Sequence, residues 1–454
     1  MVSSRVVKEK PQKPTFIDLF SGCGGLSLGM TDAGFCGLFA IEKAAEAFLT
    51  YKTNLLDHPD SCDFDWPKWL DQKNIGIEDF FTKHGHRLNA LKGKVSVLTG
   101  GPPCQGFSFA GRRNGKDPRN RLFKKYVQFV DAVKPQLLVL ENVPGMRVAH
   151  GNSKPQLPGR KPKKPKSYYE KLLEELDKIG YVAEGRLLDA STFGVPQRRP
   201  RLVVVGLKRS AINRVAGGFD GIFDCIELAG ENLVRALNLS IPVSSKDALS
   251  DLEISEGPLV PCTDPASPKG FSMLQYSKPV STYQKLMHRG TSRMEMDSMR
   301  LARHTAPVAE RFALILDECR KGVNLSEADR ERYGMLKHRT LPMLSTAPAP
   351  TLTTLPDDVL HYSEPRILTV REYARIQSFP DWYQFKGKYT TGGARRKKDC
   401  PRYTQIGNAV PPLLAEAVGN ALMVILEQIT VKPVTTATKQ SQGQSSREMF
   451  ALTV

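Results

Sequence analysis

The sequence predicts an α/β protein with an open, mostly parallel sheet. Short apolar runs rich in β-branched residues alternate with amphipathic helical stretches, which is the pattern of repeated βα units. The runs at residues 15–20 and 95–99 lead into glycine-rich turns, and the run at residues 136–140 ends on Glu141. Because open α/β sheets bind ligands at the carboxyl ends of their strands, we expect the functional residues at that edge.

Composition narrows the class of partner. The chain has 454 residues, of which 40% are hydrophobic and 25% charged, as in ordinary globular proteins, but its formal net charge is +18. Such an excess favours a polyanionic partner, either nucleic acid or an anionic membrane surface. No apolar run is expected to span a bilayer, and the basic N-terminus lacks the apolar region of a signal peptide. Nucleic acid and a cytoplasmic location are therefore favoured.

The cysteine pattern bears on metals and disulfides. The eight cysteines are scattered along the chain and form no CxxC pair. This spacing argues against a zinc site and against the disulfide framework of a secreted protein. We expect reduced thiols in a cytosolic compartment and no bound metal.

The first βα unit is typical of a Rossmann-like nucleotide-binding domain. Apolar residues 15–20 run into a glycine-rich turn at residues 21–29, and the next strand ends on Glu42. An acidic residue there is placed to accept the hydroxyls of a cofactor ribose. NAD, FAD and S-adenosylmethionine (SAM) proteins all share this pattern, and the glycines could equally serve only a tight turn. In the segment 55–92, which we interpret as irregular, Asp79 is a candidate contact for a cofactor base or simply a solvated carboxylate.

The stretch GPPCQGFS at residues 101–108 contains the candidate nucleophile. Two glycines permit an unusual backbone path, and Pro102 and Pro103 then restrict the chain just before Cys104. The alternative is a buried structural cysteine, since free cysteine is often buried. Glu141 ends a strand at the same edge, where burial would raise its pKa and suit it to hold a proton. The alternative for Glu141 is a capping or salt-bridging role.

Clusters of basic residues indicate further anion contacts. The motif QRRPR at residues 197–201 suits either a specific anion or base-edge contact or a solvated basic turn. The glycine-containing basic loop at residues 110–120 could close over a polyanion beside Cys104. The Lys/Pro-rich segment 151–166 and the basic segment 392–398 could extend phosphate contacts or be inert surface loops.

Taken together, these motifs resemble the DNA cytosine-C5 methyltransferase family. They occur in the family's order and bracket the chain from residue 16 to about residue 428. The matching stretches are DLFSGCGG at 18–25, Glu42, GPPCQGFS at 101–108, ENV at 141–143, QRRPR at 197–201, REYARIQSFP at 371–380 and QIGNAVP at 405–411.

The resemblance implies a Rossmann-like SAM-dependent methyltransferase sheet with a small inserted target-recognition domain. Thr351 resembles the threonine-led dipeptide near the end of that inserted domain. The predicted division is a basic N-terminal arm at 1–14, a catalytic SAM-binding domain at 15–250, the target-recognition domain at 251–362, a catalytic return segment at 363–430 and a disordered tail at 431–454.

The resemblance also assigns the chemistry. It implies methyl transfer from SAM to carbon 5 of a cytosine flipped out of double-stranded DNA. The implied catalytic residues are Cys104 as the thiolate that adds to carbon 6, Glu141 at ring nitrogen 3, Arg201 at the cytosine carbonyl and Arg199 as its support. The implied SAM-binding residues are Phe20, Gly22, Gly24, Glu42, Asp79, Leu122 and Asn408, with Asn74 and Ile75 competing with Asp79 for the place beside the adenine.

Three other functions fit the sequence less well. An RNA cytosine methyltransferase would carry a Cys-Phe-Thr signature, absent here, and would lack a sizeable insertion. A non-catalytic DNA-binding protein has no need of Cys104, Glu141 and Arg201 together. A nicotinamide dehydrogenase leaves residues 100–108 without a purpose. We expect a monomer, and a cognate restriction endonuclease is a possible partner.

Overall fold

The computed structural model describes residues 13–58, 63–103, 122–149, 165–276, 278–291, 296–390 and 399–430. Several predictions fall outside these residues. They concern Cys104, the loop at 110–120, nearly all of the segment 151–166, the segment 392–398, the first twelve residues of the N-terminal arm and the tail from residue 431.

The described strands confirm the predicted α/β fold. A six-stranded sheet has the order β2-β1-β3-β4-β6-β5. Strands β1 to β4 pair in parallel, whereas β6 runs antiparallel to both β4 and β5. The strands are β1 (Thr15–Leu19), β2 (Cys36–Ile41), β3 (Val97–Gly100), β4 (Leu137–Asn142), β5 (Tyr181–Asp189) and β6 (Pro200–Lys208).

Helices cover the sheet and build much of the remaining chain. The helices before residue 250 are α1 (Gly25–Asp32), α2 (Ala45–Tyr51), α3 (Ile77–His84), α4 (Leu122–Val133), α5 (Tyr168–Lys178), α6 (Gly218–Ala236) and α7 (Ser245–Leu249). The later helices are α8 (Thr282–His288), α9 (Ala306–Glu318), α10 (Glu327–Arg332), α11 (Val370–Ile376), α12 (Arg402–Asn408) and α13 (Pro412–Thr430). Short strand pairs are formed by β7 (Leu259–Pro261) with β8 (Ser272–Leu274) and by β9 (Leu341–Pro342) with β10 (Val359–Leu360).

Both faces of the sheet are buried, which explains why its strands are continuous apolar runs. On β4, Leu137 and Val139 join a core with α1, α6 and α13, whereas Leu138 and Leu140 join a core with α3, α4 and α5. The tight crossing of α1 and α13 requires Gly29, because a Cβ atom there would lie 2.5 Å from the carbonyl oxygen of Pro412.

Two sequence predictions were wrong. The segment 55–92 is not irregular throughout, because it contains α3, which buries Ile77 and Phe80. The stretch Arg402–Thr430 is long and apolar enough to cross a membrane by length and composition, although we expected no such run. However, 78% of its most apolar window is buried in the protein. The stretch is therefore part of the protein core, where α13 packs against α1 and α6.

Buried arginines fasten the segment 251–362 to the rest of the fold. Arg375 on α11 is fully buried and pairs with Asp251 at 2.9 Å and with Asp381 at 2.6 Å. Arg402 on α12 pairs with Asp264 in the same way. A burial this deep requires paired charges, so these contacts hold the start of the insertion against the return segment. The domain boundaries themselves stay a prediction.

Candidate active site

The turn after β1 has an unusual backbone. Phe20, Gly22 and Gly24 all adopt positive φ, at 61°, 56° and 95°. A Cβ atom on Gly24 would lie 2.7 Å from Leu55, whereas one on Gly22 would meet no atom within 4 Å. Gly24 is therefore required for packing, and Gly22 faces open space at the carboxyl edge of the sheet.

Glu42 closes this turn from the end of β2. Its Oε2 accepts a hydrogen bond from the Gly22 backbone N–H at 2.9 Å, and its Oε1 accepts one from the Ala44 N–H at 2.6 Å. Burial raises the pKa of Glu42, and these backbone hydrogen bonds oppose that shift. Each oxygen keeps a further lone pair, so the carboxylate can still accept hydroxyl donors.

The turn also contains a buried hydroxyl group, that of Ser21. Ser21 Oγ is buried and has no hydrogen-bond partner among the residues that the structure describes. Buried hydroxyls are normally paired. An unpaired hydroxyl, the open space beside Gly22 and the fixed carboxylate of Glu42 together fit a polar, ribose-bearing cofactor.

The two candidates for the place beside the cofactor base have different surroundings. The Ile75 N–H donates to the Glu42 carbonyl at 2.7 Å, and Asn74 Nδ2 donates to the Lys43 carbonyl at 2.9 Å. Asp79 is exposed in the first turn of α3. Residues 74–75 thus lie directly against the chain that carries Glu42, and Asp79 lies one helical turn further on.

The two remaining cofactor candidates lie at helix ends. Leu122 is the first residue of α4 and packs, half-buried, against the apolar core. Asn408 is the last residue of α12 and is exposed.

At the other end of the sheet edge, Glu141 and Arg201 form an ion pair. Arg201 Nε lies 2.8 Å from Glu141 Oε1, with only 8% and 12% of the two side chains exposed. The antiparallel register of β4 and β6, which pairs Glu141 with Val203, brings these distant positions together. Burial raises the pKa of Glu141, and the charges of Arg201 and Arg199 oppose the rise.

The chain that leads to Cys104 passes beside this pair. Asn142 Nδ2 donates to the Pro102 carbonyl at 3.0 Å, and a Cβ atom on Gly101 would lie 3.7 Å from Glu141 Oε2. Cys104, two residues beyond Pro102, lies outside the described residues. Gly101 and Pro102 therefore direct the chain into Cys104 from a point next to Glu141.

Arg199 makes different contacts from Arg201. It is 1% exposed, and its guanidinium donates to the carbonyl oxygens of Leu352 at 3.1 Å, Gly407 at 2.8 Å and Ala409 at 3.0 Å. These carbonyls belong to the end of the insertion and to the end of α12. Arg199 thus forms a clasp that joins Leu352 to residues 407–409.

Sequence reasoning missed a third buried carboxyl, Asp18 on β1. It accepts hydrogen bonds from Ser27 Oγ at 2.6 Å and Thr99 Oγ1 at 3.1 Å. Burial raises the pKa of Asp18 to about 7. An aspartate inside an otherwise apolar run was the available signal. Asp18 ties the glycine-rich turn to β3, the strand that precedes Cys104.

Similarity to known proteins identifies the family to which the chain belongs. The profile of the family described as C-5 cytosine-specific DNA methylase matches residues 14–423. The chain belongs to this family. It is a DNA cytosine methyltransferase, and membership of this family implies that it uses SAM.

Relatives that align with this chain over nearly its whole length are also named methyltransferases. The chain is 31% identical to the Type II methyltransferase M.DdeI of Desulfomicrobium norvegicum, over 91% of this chain and 90% of that protein. It is 30% identical to the Type II methyltransferase M.AgeI of Thalassovita gelatinovora, over 90% of this chain and 99% of that protein. A solved structure described as a prophage-encoded DNA modification methyltransferase from E. coli shares the fold, with a TM-score of 0.57 at 23% identity, over 91% of this chain and 100% of that chain.

Proposed function

We propose that this methyltransferase modifies carbon 5 of a cytosine within a specific double-stranded DNA sequence, through a covalent Cys104 adduct on a flipped-out base. The observation that carries the proposal is the buried Glu141–Arg201 pair at 2.8 Å, beside the chain that leads to Cys104. It combines a proton-holding carboxyl and a cation at one edge of the sheet, beside Gly101 and Pro102, which precede the candidate nucleophile in the chain.

The chemistry requires these groups together. Carbon 5 of cytosine is a weak nucleophile, and addition of the Cys104 thiolate at carbon 6 turns the ring into a reactive enamine. The electron pair moves towards ring nitrogen 3, where Glu141, with its raised pKa, supplies a proton. Arg201 stabilises negative charge at the adjacent carbonyl. With SAM bound, carbon 5 would take the methyl group, and the thioether S-adenosylhomocysteine would be the leaving group. Transfer of the carbon 5 proton to a base and elimination of the Cys104 thiolate would then release the methylated base.

The cofactor binds at the opposite end of the same edge. Bound SAM supplies the methyl group as an electrophile. The Glu42 carboxylate would accept the ribose hydroxyls, and the open space beside Gly22 would leave room for the cofactor. We place residues 74–75 beside the adenine, because they contact the chain at Glu42. Phe20, Gly24, Asp79, Leu122 and Asn408 complete the proposed set of cofactor contacts.

Two features support DNA binding: the positive net charge of the chain and the inserted segment 251–362. The net charge of +18 suits a phosphate backbone. Residues 251–362 are proposed to read the sequence, with Arg199 clasping their end to the catalytic part. Because the relatives are named Type II methyltransferases, we infer that the protein acts on DNA in the cytoplasm alongside a cognate restriction endonuclease. A single recognition segment is compatible with a monomer.

The experiment that tests the function compares the wild type with Cys104→Ala in a host that lacks cytosine methylation. Bisulfite sequencing of host DNA should show methylation at one short recurring motif for the wild type and none for the variant. SAM binding, measured by calorimetry on the purified proteins, should be equal. As a second readout, a duplex with 5-fluorocytosine at the mapped target should trap a covalent complex with the wild type, because the carbon 5 fluorine cannot leave as a proton does.

Two results would count against this function. Full methylation by Cys104→Ala removes the thiolate from the mechanism. A wild-type protein that binds SAM but leaves all host DNA unmodified contradicts the DNA substrate.

A further inference from the structure

A buried hydroxyl group bridges the two strands that lead to the proposed reacting groups. Tyr126, one turn into α4, is 0% exposed. Its Oη donates to the carbonyl oxygens of Leu98 on β3 and Val139 on β4, each at 3.1 Å. A phenol has one proton and a carbonyl oxygen has two lone pairs, so one hydroxyl is shared between two parallel strands.

The bridge lies close to the ends of both strands. β3 and β4 pair Thr99 with Val139, so the carbonyl groups of Leu98 and Val139 lie one register position apart. Glu141 follows Val139 by two residues, and the chain beyond β3 continues into residues 101–103. The shared hydroxyl therefore fastens β3 to β4 at the edge of the sheet where the reacting groups are proposed.

The ring of Tyr126 also limits the path of the chain at the end of β3. A Cβ atom on Gly100 would lie 2.9 Å from Tyr126 Cε2 and 3.0 Å from the carbonyl oxygen of Leu19. A side chain has no room between the ring and β1, so this position requires glycine. The chain that leads to the candidate nucleophile therefore begins in direct contact with the Tyr126 ring.

Tyr126 is linked to both ends of the chain segment that contains the candidate nucleophile. Residues 104–121 lie outside the described residues, and the structure describes the chain up to Pro103 and again from Leu122, the first residue of α4. The hydroxyl and the ring contact β3, which precedes this segment, and Tyr126 itself belongs to α4, which follows it. One side chain thus joins the two places between which this segment runs.

The surroundings keep the hydroxyl protonated. Tyr126 belongs to an apolar core that includes Leu19, Leu98 and Leu138. Burial raises the pKa of Tyr126 well above its ordinary value, and the neighbouring carboxyl of Asp18 raises this pKa further. The hydroxyl therefore remains a hydrogen-bond donor through the neutral and moderately alkaline range.

We propose that Tyr126 is a positioning residue for methyl transfer, which sets the distance between the Cys104 thiolate and the Glu141 carboxyl by fastening β3 to β4. The inference rests on the proposed function, in which these two groups act on one cytosine ring. A misplacement of about 1 Å can lower the rate of an enzyme by about 10²-fold. Because the hydroxyl is buried between the strands, it acts on the reaction only through the groups that it positions.

The test removes this hydroxyl in Tyr126→Phe and uses a duplex that contains the target sequence mapped by bisulfite sequencing. The single-turnover rate of methylation at saturating SAM and DNA should fall about tenfold, whereas the Kd for SAM and for the duplex should stay within about twofold of the wild type. The rate at which a 5-fluorocytosine duplex forms the covalent complex should fall by the same factor, because that complex requires addition of the Cys104 thiolate.

Tyr181→Phe is the matched control. Tyr181 on β5 is 1% exposed, and its Oη donates to the carbonyl of Pro135 at 2.6 Å. Pro135 precedes β4, at the opposite end of the sheet from the proposed reacting groups. Each variant loses one buried hydroxyl, so urea denaturation should show similar losses of stability. Only Tyr126→Phe should lose rate.

Three results would overturn the positioning role. They are a wild-type rate for Tyr126→Phe, an equal loss of rate in the two Phe variants, and a loss of rate that weaker binding of SAM or DNA accounts for. Failure of the proposed function gives a different result, because the wild type itself would then form no covalent complex with the 5-fluorocytosine duplex. The positioning role would fail with it.

Discussion

Glu42 and Glu141 are two buried carboxylates at the same edge of the sheet, but different groups stabilise them. Each lies at the carboxyl end of a strand, and burial raises the pKa of each. Glu42 is held by two backbone N–H groups, whereas Glu141 is held by the guanidinium of Arg201. Backbone dipoles fix an acceptor in place, and a neighbouring full charge also controls how readily the carboxyl takes up a proton.

This difference suggests that the two carboxylates have different functions. A carboxylate fixed by main-chain donors is suited to accept hydroxyls from a bound cofactor. A carboxyl whose proton is balanced between burial and an adjacent cation is suited to proton transfer. The comparison predicts that changes at one site should affect cofactor affinity and changes at the other should affect turnover.

The largest expected effect is that of Glu141→Gln. The amide cannot transfer a proton to the ring, so we expect kcat to fall by about 10²- to 10⁴-fold, the usual contribution of general acid catalysis. SAM affinity, measured by calorimetry, should stay within a few-fold of the wild type. A comparable fall in SAM affinity would contradict the separation of the two carboxylates.

Arg199→Met should act on stability instead. It removes the Arg199 donor from the buried carbonyl oxygens of Leu352 and Gly407, and it leaves that of Ala409 with Gln377 Nε2 alone. We therefore expect the free energy of unfolding to fall by roughly 3 kcal/mol in urea denaturation. Arg201→Met is the matched control, and it should mainly lower turnover. If the two variants lost the same stability and the same turnover, the clasp assigned to Arg199 would be wrong.

Glu42→Gln tests the cofactor side. Its amide must place an NH₂ group against one of the N–H donors of Gly22 and Ala44, and it loses a charged acceptor for hydroxyls. We expect SAM binding to weaken by about 10- to 100-fold, in line with hydrogen bonds to a charged group. At saturating SAM, kcat should remain within a few-fold of the wild type. A large loss of kcat at saturation would place Glu42 in the chemistry.

Asp18, the buried carboxyl between the two sites, should show the smallest effect, as a pH dependence. Burial raises its pKa in the folded protein to about 7, above the ordinary value of 3.8. The folded state thus binds this proton more tightly than the unfolded state does, and stability is lost as the pH rises from about 4 through about 7. Asp18→Asn keeps an uncharged side chain of the same size, so it should be more stable than the wild type by on the order of 1–2 kcal/mol at pH 8.

The measurement is urea denaturation of both proteins at two pH values. The advantage of Asp18→Asn should shrink towards pH 5, where the wild-type carboxyl is largely protonated. An advantage that is equal at pH 5 and pH 8, or that grows as the pH falls, would show that Asp18 is ionised in the folded protein.

The sequence by itself determined the fold class, the sheet strands and the order of the motifs. These features depend on local information: which runs are apolar, where glycine and proline interrupt them, and which polar residue ends each strand. For the same reason the sequence alone assigns Glu42 and Glu141 to the carboxyl edge of the sheet. The helix α3 was missed, because only two of its residues, Ile77 and Phe80, are buried and its apolar pattern is short.

The tertiary structure alone decided which side chains meet. The contact of Arg201 with Glu141 depends on the antiparallel register of β6 against β4, and the contacts of Arg199 depend on the return of residues 407–409 after the insertion. Periodicity in a sequence records whether a segment is buried. It carries no information on the register between segments far apart in the chain, and that register sets the geometry of the site.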